Sequence, residues 1–108
     1  MSNLYYTPQH FALTTVGEIE WGDGCYSFDL TVVWRRNIDG KLVYADDSGC
    51  SCPSPFEDHG VEDLKLCTAD ELLAHLNKRG EDAGAPYGRG MSDEHRMAIA
   101  ELMARMVA

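Results

Sequence analysis

A strict alternation of side-chain character over residues 25–35 constrains the fold of this chain more than any other feature. One side of the extended segment carries large apolar groups: Tyr26, Phe28, Leu30, Val32 and Trp34. The other side carries smaller groups: Cys25, Ser27, Asp29, Thr31 and Val33. Period-two alternation with aromatic and β-branched residues predicts a strand that buries one face. The chain is therefore expected to fold around a sheet with this strand inside it.

Neighbouring segments predict two further strands that pair with the first. Residues 13–21 alternate as well, and one side carries Leu13, Thr15, Gly17, Ile19 and Trp21. A turn over residues 36–40 ends at Gly40, which is free to take positive φ, and Lys41–Ala45 returns as a third strand. Short turns between consecutive strands predict an antiparallel meander of about three strands. A fourth, short strand near Lys65–Cys67 is an alternative to a helical turn there.

The remainder of the chain predicts helices. Pro8 follows Thr7 in a short helical turn near the start. Thr68 and Glu71 form a capping-box pattern at the start of a helix that is expected to end at Gly80. Residues 80–90 are rich in glycine and predict a flexible linker. A C-terminal helix is predicted over 91–108, with Ser92 as its N-cap. Its residues Ile99, Leu102, Met103 and Met106 lie on one side at helical spacing.

These elements predict one α+β domain over residues 1–108. The domain is expected to consist of a sheet with a loop rich in cysteine and proline (the Cys-Pro loop, residues 46–59) over 1–67, a helix over 68–80, the linker over 80–90 and the last helix over 91–108. The Met-rich last helix is expected either to pack on its own sheet or to form a homodimer with a second chain.

The segment 46–59 holds the most unusual composition, with two cysteines, two prolines, acids at both ends and a closing histidine. Prolines at 53 and 55 exclude a regular helix or interior strand, which predicts a constrained loop. Loops on a rigid scaffold often carry function. The predicted interaction surface comprises Asp46, Asp47, Ser48, Pro53, Pro55, Phe56, Glu57, Asp58 and His59.

The block from Asp47 to Asp58, together with the strand before it, resembles small uncharacterised proteins of actinobacteria and their phages. The opening Tyr-Thr-Pro-x-His-Phe segment is similar to that family too, so the resemblance covers roughly residues 5–66. It implies a phage origin and an unknown function. The two helices after Thr68 are not part of the resemblance.

Metal binding and thiol catalysis are the chemical hypotheses for the loop. Cys50, Cys52 and His59, completed by Cys67 or Cys25, are ligand types that zinc accepts in a structural site. However, Cys-x-Cys is an unusual zinc spacing, and free cysteines are often buried as small hydrophobic residues. A nucleophilic cysteine would need a base within reach, and no catalytic motif surrounds these thiols. We expect local packing to order the loop, without a cofactor.

The net charge of the chain restricts the classes of molecule that it can bind. The net charge of −9 opposes binding to nucleic acid or to anionic membranes. No signal peptide or membrane-spanning stretch is evident, so a cytoplasmic protein, in the host cytosol if phage-encoded, is expected. The sequence therefore predicts a small non-enzymatic protein that binds another protein through the loop and its acidic rim. A structural zinc module and an acidic mimic of DNA that inhibits another protein remain alternatives.

Overall fold

A computed structural model describes residues 3–22, 27–50, 55–56, 59–88 and 90–106, without the side chains of Cys50 and Tyr87. The strands are β1 (Leu13–Glu20), β2 (Ser27–Arg36), β3 (Leu42–Cys50) and β4 (Lys65–Cys67). The helices are α1 (Ala69–Gly84) and α2 (Asp93–Met106). Short 3₁₀ turns occupy Pro8–Phe11, Val61–Asp63 and Ala85–Tyr87. None of the helices within these ranges is long and apolar enough to span a membrane.

The four strands form one antiparallel sheet in the order β1-β2-β3-β4. The turn between β2 and β3 closes with a hydrogen bond from the Gly40 amide to the Arg36 carbonyl (2.7 Å), and Gly40 has a φ of 71°. The sheet followed by two helices confirms the predicted α+β fold. Of the two alternatives left open by the sequence for residues 61–67, the structure has a short strand at Lys65–Cys67, preceded by a 3₁₀ turn at Val61–Asp63.

The two faces of the sheet have different covers. On the first, which we call the irregular face, non-helical segments complete a cluster of Leu4, Leu13, Leu30, Val32, Trp34, Val43, Ala45 and Phe56. On the second, the helical face, α1 and α2 complete a cluster of Ile19, Trp21, Val33, Leu72, Leu76, Ile99, Leu102 and Met106. Phe28, Leu30, Val32 and Trp34 share a face as predicted, and Tyr26 lies outside the described residues. On the other side of β2, Thr31 and Val33 are buried as well.

A β-bulge in β1 changes which side chains share a face. Thr15 pairs with Trp34 and Gly17 pairs with Val33, so one residue of β1 has no partner in β2. An unpaired residue reverses the side-chain alternation beyond it. Leu13 consequently packs on the irregular face, whereas Ile19 packs on the helical face. The prediction that Leu13, Thr15, Gly17, Ile19 and Trp21 share one side is therefore wrong for Leu13 and Thr15.

Strand β3 is longer than predicted. It continues through Asp46–Cys50, and its partners in β2 run from Thr31 to Ser27. The first five residues of the predicted loop therefore belong to the sheet. Of the remaining loop residues, 51–54, 57 and 58 lie outside the described part of the chain.

Helix α1 begins as predicted and ends later. The Thr68 hydroxyl accepts from the Glu71 amide (3.2 Å), and the Glu71 carboxylate accepts from the Thr68 amide (2.9 Å). The predicted end at Gly80 is wrong because the helix continues to Gly84. A Cβ at Gly80 would lie 2.8 Å from Cγ of Met91, so glycine permits a close helix contact there. The mobility of residues 80–90 stays a prediction.

Helix α2 packs on its own sheet. Ile99, Leu102 and Met106 are buried in the helical-face cluster, and Met103 packs against it. The amide of His95 donates to the Ser92 hydroxyl (3.2 Å), as the predicted helix start requires. The apolar side that was considered for a homodimer is therefore already covered within the chain.

Candidate functional site

The acidic end of the predicted loop is divided between the two faces. Asp46 pairs with Thr31 on the helical face, and Asp47 pairs with Leu30 on the irregular face. Adjacent strand residues point to opposite sides of a sheet. Asp46 and Asp47 therefore do not belong to one acidic rim, and each carboxylate has partners within the protein.

On the irregular face, Asp47 and Asn3 hold Phe56. The Phe56 amide donates to Oδ2 of Asp47 (2.8 Å), and Nδ2 of Asn3 donates to the Pro55 carbonyl (3.1 Å). The Phe56 ring is fully buried and meets the Trp34 ring edge-on at 5.4 Å. Its φ of 61° is uncommon for a bulky residue. Phe56 is thus a core residue, and it can support a binding surface only by ordering the loop.

Another aromatic residue completes this packing. Tyr5 stacks on the Phe56 ring at 6.3 Å, and its hydroxyl donates to the Glu18 carboxylate at 2.8 Å. Burial, and then the bond to Glu18, raises the pKa of the Tyr5 hydroxyl well above its usual range. The N-terminal segment is consequently fixed to both the sheet and the loop.

The two candidate zinc ligands whose side chains the structure describes, His59 and Cys67, do not lie close together. His59 packs edge-on against Phe56 at 5.1 Å, which places it on the irregular face. Cys67 packs against the helical-face cluster. Because the sheet separates these two side chains, they cannot share one ion. No group of three metal-ligating residues occurs in the described ranges, whereas Cys25, Cys52 and the Cys50 side chain fall outside them.

The helical face holds a cluster of polar side chains that the sequence did not indicate. The indole nitrogen of Trp21 donates to the Thr31 hydroxyl (2.8 Å), which in turn donates to Asp46. Nε2 of His75 lies 2.8 Å from the other carboxylate oxygen of Asp46. A continuous set of hydrogen bonds thus connects Trp21, which directly follows β1, and strands β2 and β3 to α1.

Arg79 extends this cluster by one helical turn. It forms an ion pair with Asp29, and its Nε lies 3.6 Å from Oδ1 of Asp46. Its guanidinium carbon is 5.6 Å from the centre of the Trp21 ring, a cation–π geometry. His75 and Arg79 are four residues apart and therefore share one face of α1. The four-residue spacing of His75 and Arg79 is the sequence signal that could have predicted that they act together.

The cluster resembles a catalytic arrangement in one respect only. A His–Asp pair can orient a base, but nucleophilic catalysis also needs a nucleophile in contact with that base. In the described part of the chain, His75 contacts Asp46 and the ring of Tyr44, at 4.5 Å between ring centres. Burial and the charge of Asp46 raise the pKa of Tyr44, which keeps its hydroxyl protonated. The cluster mainly ties α1 to the sheet.

A groove lies on the irregular face of the sheet, among the residues described. Its volume is about 330 Å³, and we call it the edge groove. Its lining residues are Phe11, Ala12, Leu13, Arg36, Ile38, Val43, Val61, Leu64 and Leu66. The fractional exposure is 89% for Ile38, 52% for Val61 and 55% for Leu66. Large apolar side chains therefore surround the groove without being covered.

A second cavity lies across β4 from the edge groove, and we call it the cap pocket. Its volume is about 290 Å³, and it is lined by Lys41, Leu42, Leu66, Cys67, Thr68 and Glu71. Leu66 lines both cavities, so they flank the last strand of the sheet. Burial raises the pKa of the Cys67 thiol, and the charge of Glu71 adds to the effect. The thiol is thus less acidic than an exposed cysteine, the opposite of an activated nucleophile.

The sequence predictions missed both cavities. Ile38 is an apolar residue at the tip of a hairpin turn, a position where polar residues are usual. Leu66 lies in a segment that was ambiguous between strand and helix. An apolar residue at a hairpin tip was thus the available signal.

Comparison with known proteins places the chain in a family. A family model described as a domain of unknown function, DUF7574, matches residues 2–108. No curated protein and no solved structure matches the chain significantly. The match extends beyond the predicted limit near residue 66 and includes both helices. The chain therefore belongs to the DUF7574 family of domains of unknown function.

Proposed function

We propose that this protein is a non-catalytic module that binds a protein partner at the edge groove and β4. The distribution of exposed apolar side chains carries this proposal. Within the described residues, five large hydrophobic side chains are exposed: Tyr6, Ile38, Val61, Leu66 and Met97. Three of these surround one groove. A contiguous exposed apolar patch next to a concave surface is typical of an interaction site.

The loop supports this site from inside the fold. Phe56 and Asp47 order the chain that leads towards Val61, which lines the groove. The loop and its acids were predicted to contact the partner directly. The carboxylates of Asp46 and Asp47 bind groups of the protein itself, so we assign the contact to the groove.

The charge of the chain favours a basic partner. A net charge of −9 accelerates encounter with positively charged proteins and discourages acidic ones. If the protein is phage-encoded, as the resemblance implies, the partner would belong to the host or the phage and meet it in the host cytosol. An acidic mimic of DNA would instead bind through charge and would not depend on an apolar groove.

Two aspartate substitutions test the groove against a matched control. Leu66→Asp and Ile38→Asp place a charge in the groove, whereas Met97→Asp does so at a similarly exposed apolar residue of α2 (65%). Partners captured by the wild-type protein are identified by mass spectrometry, purified and titrated. We expect the groove variants to weaken binding at least about tenfold, the cost of losing about 1.4 kcal/mol of contact energy. Met97→Asp should bind within about twofold of wild type.

Equal binding by all three variants would overturn the proposal. If binding then weakens strongly with salt, the acidic-mimic alternative is favoured. Zinc in protein purified without added metal, lost together with folding when Cys50 or Cys52 is replaced, would favour the zinc-module alternative.

A further inference from the structure

The position of the two cavities suggests how a partner is bound. The edge groove lies on the irregular face and the cap pocket on the helical face, and both contact Leu66 of β4. β4 is the last strand in the sheet order. We infer that the partner contributes an extended segment that adds to β4 as a fifth strand. This inference rests on the proposed function and specifies its binding mode.

Strand alternation explains why two cavities are needed. Successive side chains of an added strand point to opposite faces of the sheet. One side chain of the partner would enter the edge groove over Leu66, and the next would enter the cap pocket beside Cys67. Both cavities have mainly apolar linings that suit branched aliphatic side chains. In strand addition, backbone hydrogen bonds supply affinity and alternate pockets supply specificity.

Charged residues bracket β4 along the chain and define the ends of the partner segment. Glu62 and Asp63 precede the strand, and Asp70 and Glu71 follow it. All four are exposed. The basic residues at the same site are Lys65 of β4, Lys41 in the lining of the cap pocket and Arg36 in the lining of the edge groove, and Arg36 is ion-paired with Asp39. An apolar segment with Lys or Arg at both ends would complement this distribution. A second copy of the chain would instead bring acids against acids, so we commit to a heterologous basic segment.

The opposite edge of the sheet differs in ways that disfavour strand addition. β1 contains the bulge between Thr15 and Gly17, and it exposes Thr14, Thr15 and Glu18. Bulges and charged side chains are the usual means by which proteins protect sheet edges. In its described register β4 contains no bulge, and although it exposes Lys65 as well, it also exposes the apolar side chain of Leu66 beside two apolar cavities. Among the described residues, the contrast points to β4 as the edge that accepts a partner.

The inference is tested with a synthetic peptide of sequence Lys-Arg-Thr-Val-Ile-Val-Thr-Arg-Lys, labelled for fluorescence anisotropy. Two N-methylated versions block alternate backbone amides, so that each removes donors from one edge of the peptide. We expect one version to bind at least about tenfold more weakly and the other within about twofold, because only one edge bonds to β4. Amide chemical shifts of Lys65–Cys67 should change on binding.

Matched controls distinguish strand addition from binding in the edge groove alone. A peptide with Glu in place of the four Lys and Arg residues should bind at least about tenfold more weakly if the acidic residues before and after β4 select basic peptide ends. Leu66→Asp should weaken the parent peptide about tenfold and Met97→Asp should not. No binding at millimolar peptide, or equal effects of both N-methylated versions, would overturn strand addition.

The outcomes distinguish the inference from the proposed function. If the captured partner requires Leu66 but the peptide does not bind, the groove remains the binding site and strand addition is wrong. If Leu66→Asp changes the affinity of neither the captured partner nor the peptide, both strand addition and the proposed function are wrong. A concentration-dependent dimer in sedimentation that Leu66→Asp abolishes would overturn the heterologous segment in favour of a second copy.

Discussion

The two faces of the sheet are stabilised in different ways. On the helical face, two helices carry their apolar stripes onto Ile19 and Val33, and a polar cluster connects α1 to strands β2 and β3. On the irregular face, the cover within the described residues consists of the N-terminal segment, a 3₁₀ turn, Leu64 and the ring of Phe56. Helices satisfy their own backbone groups, whereas irregular segments need side chains such as Asp47 and Asn3 to do so.

This difference explains where the groove lies. A helix covers a sheet with a continuous row of side chains, but short irregular segments cover it only where each anchor is placed. Beyond Phe11 and Leu64, Val43 remains at the base of an open groove. The less regular cover thus leaves the surface that we assign to binding.

Replacing Phe56 by Ala should cause the largest loss of stability. The ring is fully buried against Trp34, and removing such a ring costs about 3–5 kcal/mol because it leaves a cavity. Urea unfolding measures the free energy. Ile38→Ala is the control, since a residue that is 89% exposed should change stability by no more than about 0.5 kcal/mol. A loss below about 1 kcal/mol for Phe56→Ala would show that the irregular face has no single anchor.

Asp46→Asn should have a smaller effect on the opposite face. The carboxylate accepts from Thr31 and contacts His75 and Arg79, and it is partly exposed (30%). A partly screened charged interaction of this kind is expected to contribute about 1–2 kcal/mol. Asp82→Asn removes the same charge from an exposed position on α1 and serves as the control. If both variants unfold at the same urea concentration, the polar cluster does not stabilise the helical face.

The smallest expected effect concerns the Cys67 thiol, and it is a change in the pH dependence of alkylation rather than a large change in stability. Burial raises its pKa, so at a given pH less thiolate is present in the folded state than in the unfolded state. The associated stabilisation is present below the unfolded pKa and is lost as pH rises above it. In a variant with Cys25, Cys50 and Cys52 replaced by Ser, the pH midpoint of iodoacetamide alkylation should lie higher for the folded chain than for the chain in urea. A lower midpoint in the folded state would instead support an activated thiol.

The surface that we propose for binding was harder to predict than the fold. Alternation over residues 25–35 was sufficient to place β2, because side-chain direction in a strand follows directly from residue number. The groove depends on how the segments around Val43 pack, and these segments lie far apart in the sequence. Ile38 and Leu66 are 28 positions apart (66 − 38), and only folding brings them to one groove.

The sequence by itself determined the meander, the turn at Gly40 and the starts of both helices, since each follows from local alternation, turn chemistry or capping. Tertiary structure decided three further features. The bulge in β1 sends Leu13 and Ile19 to opposite faces. Asp46 continues β3 because Thr31 and α1 supply partners for its carboxylate. Helix α1 passes through Gly80 because Met91 packs where a Cβ would lie, a contact between segments that no local pattern encodes.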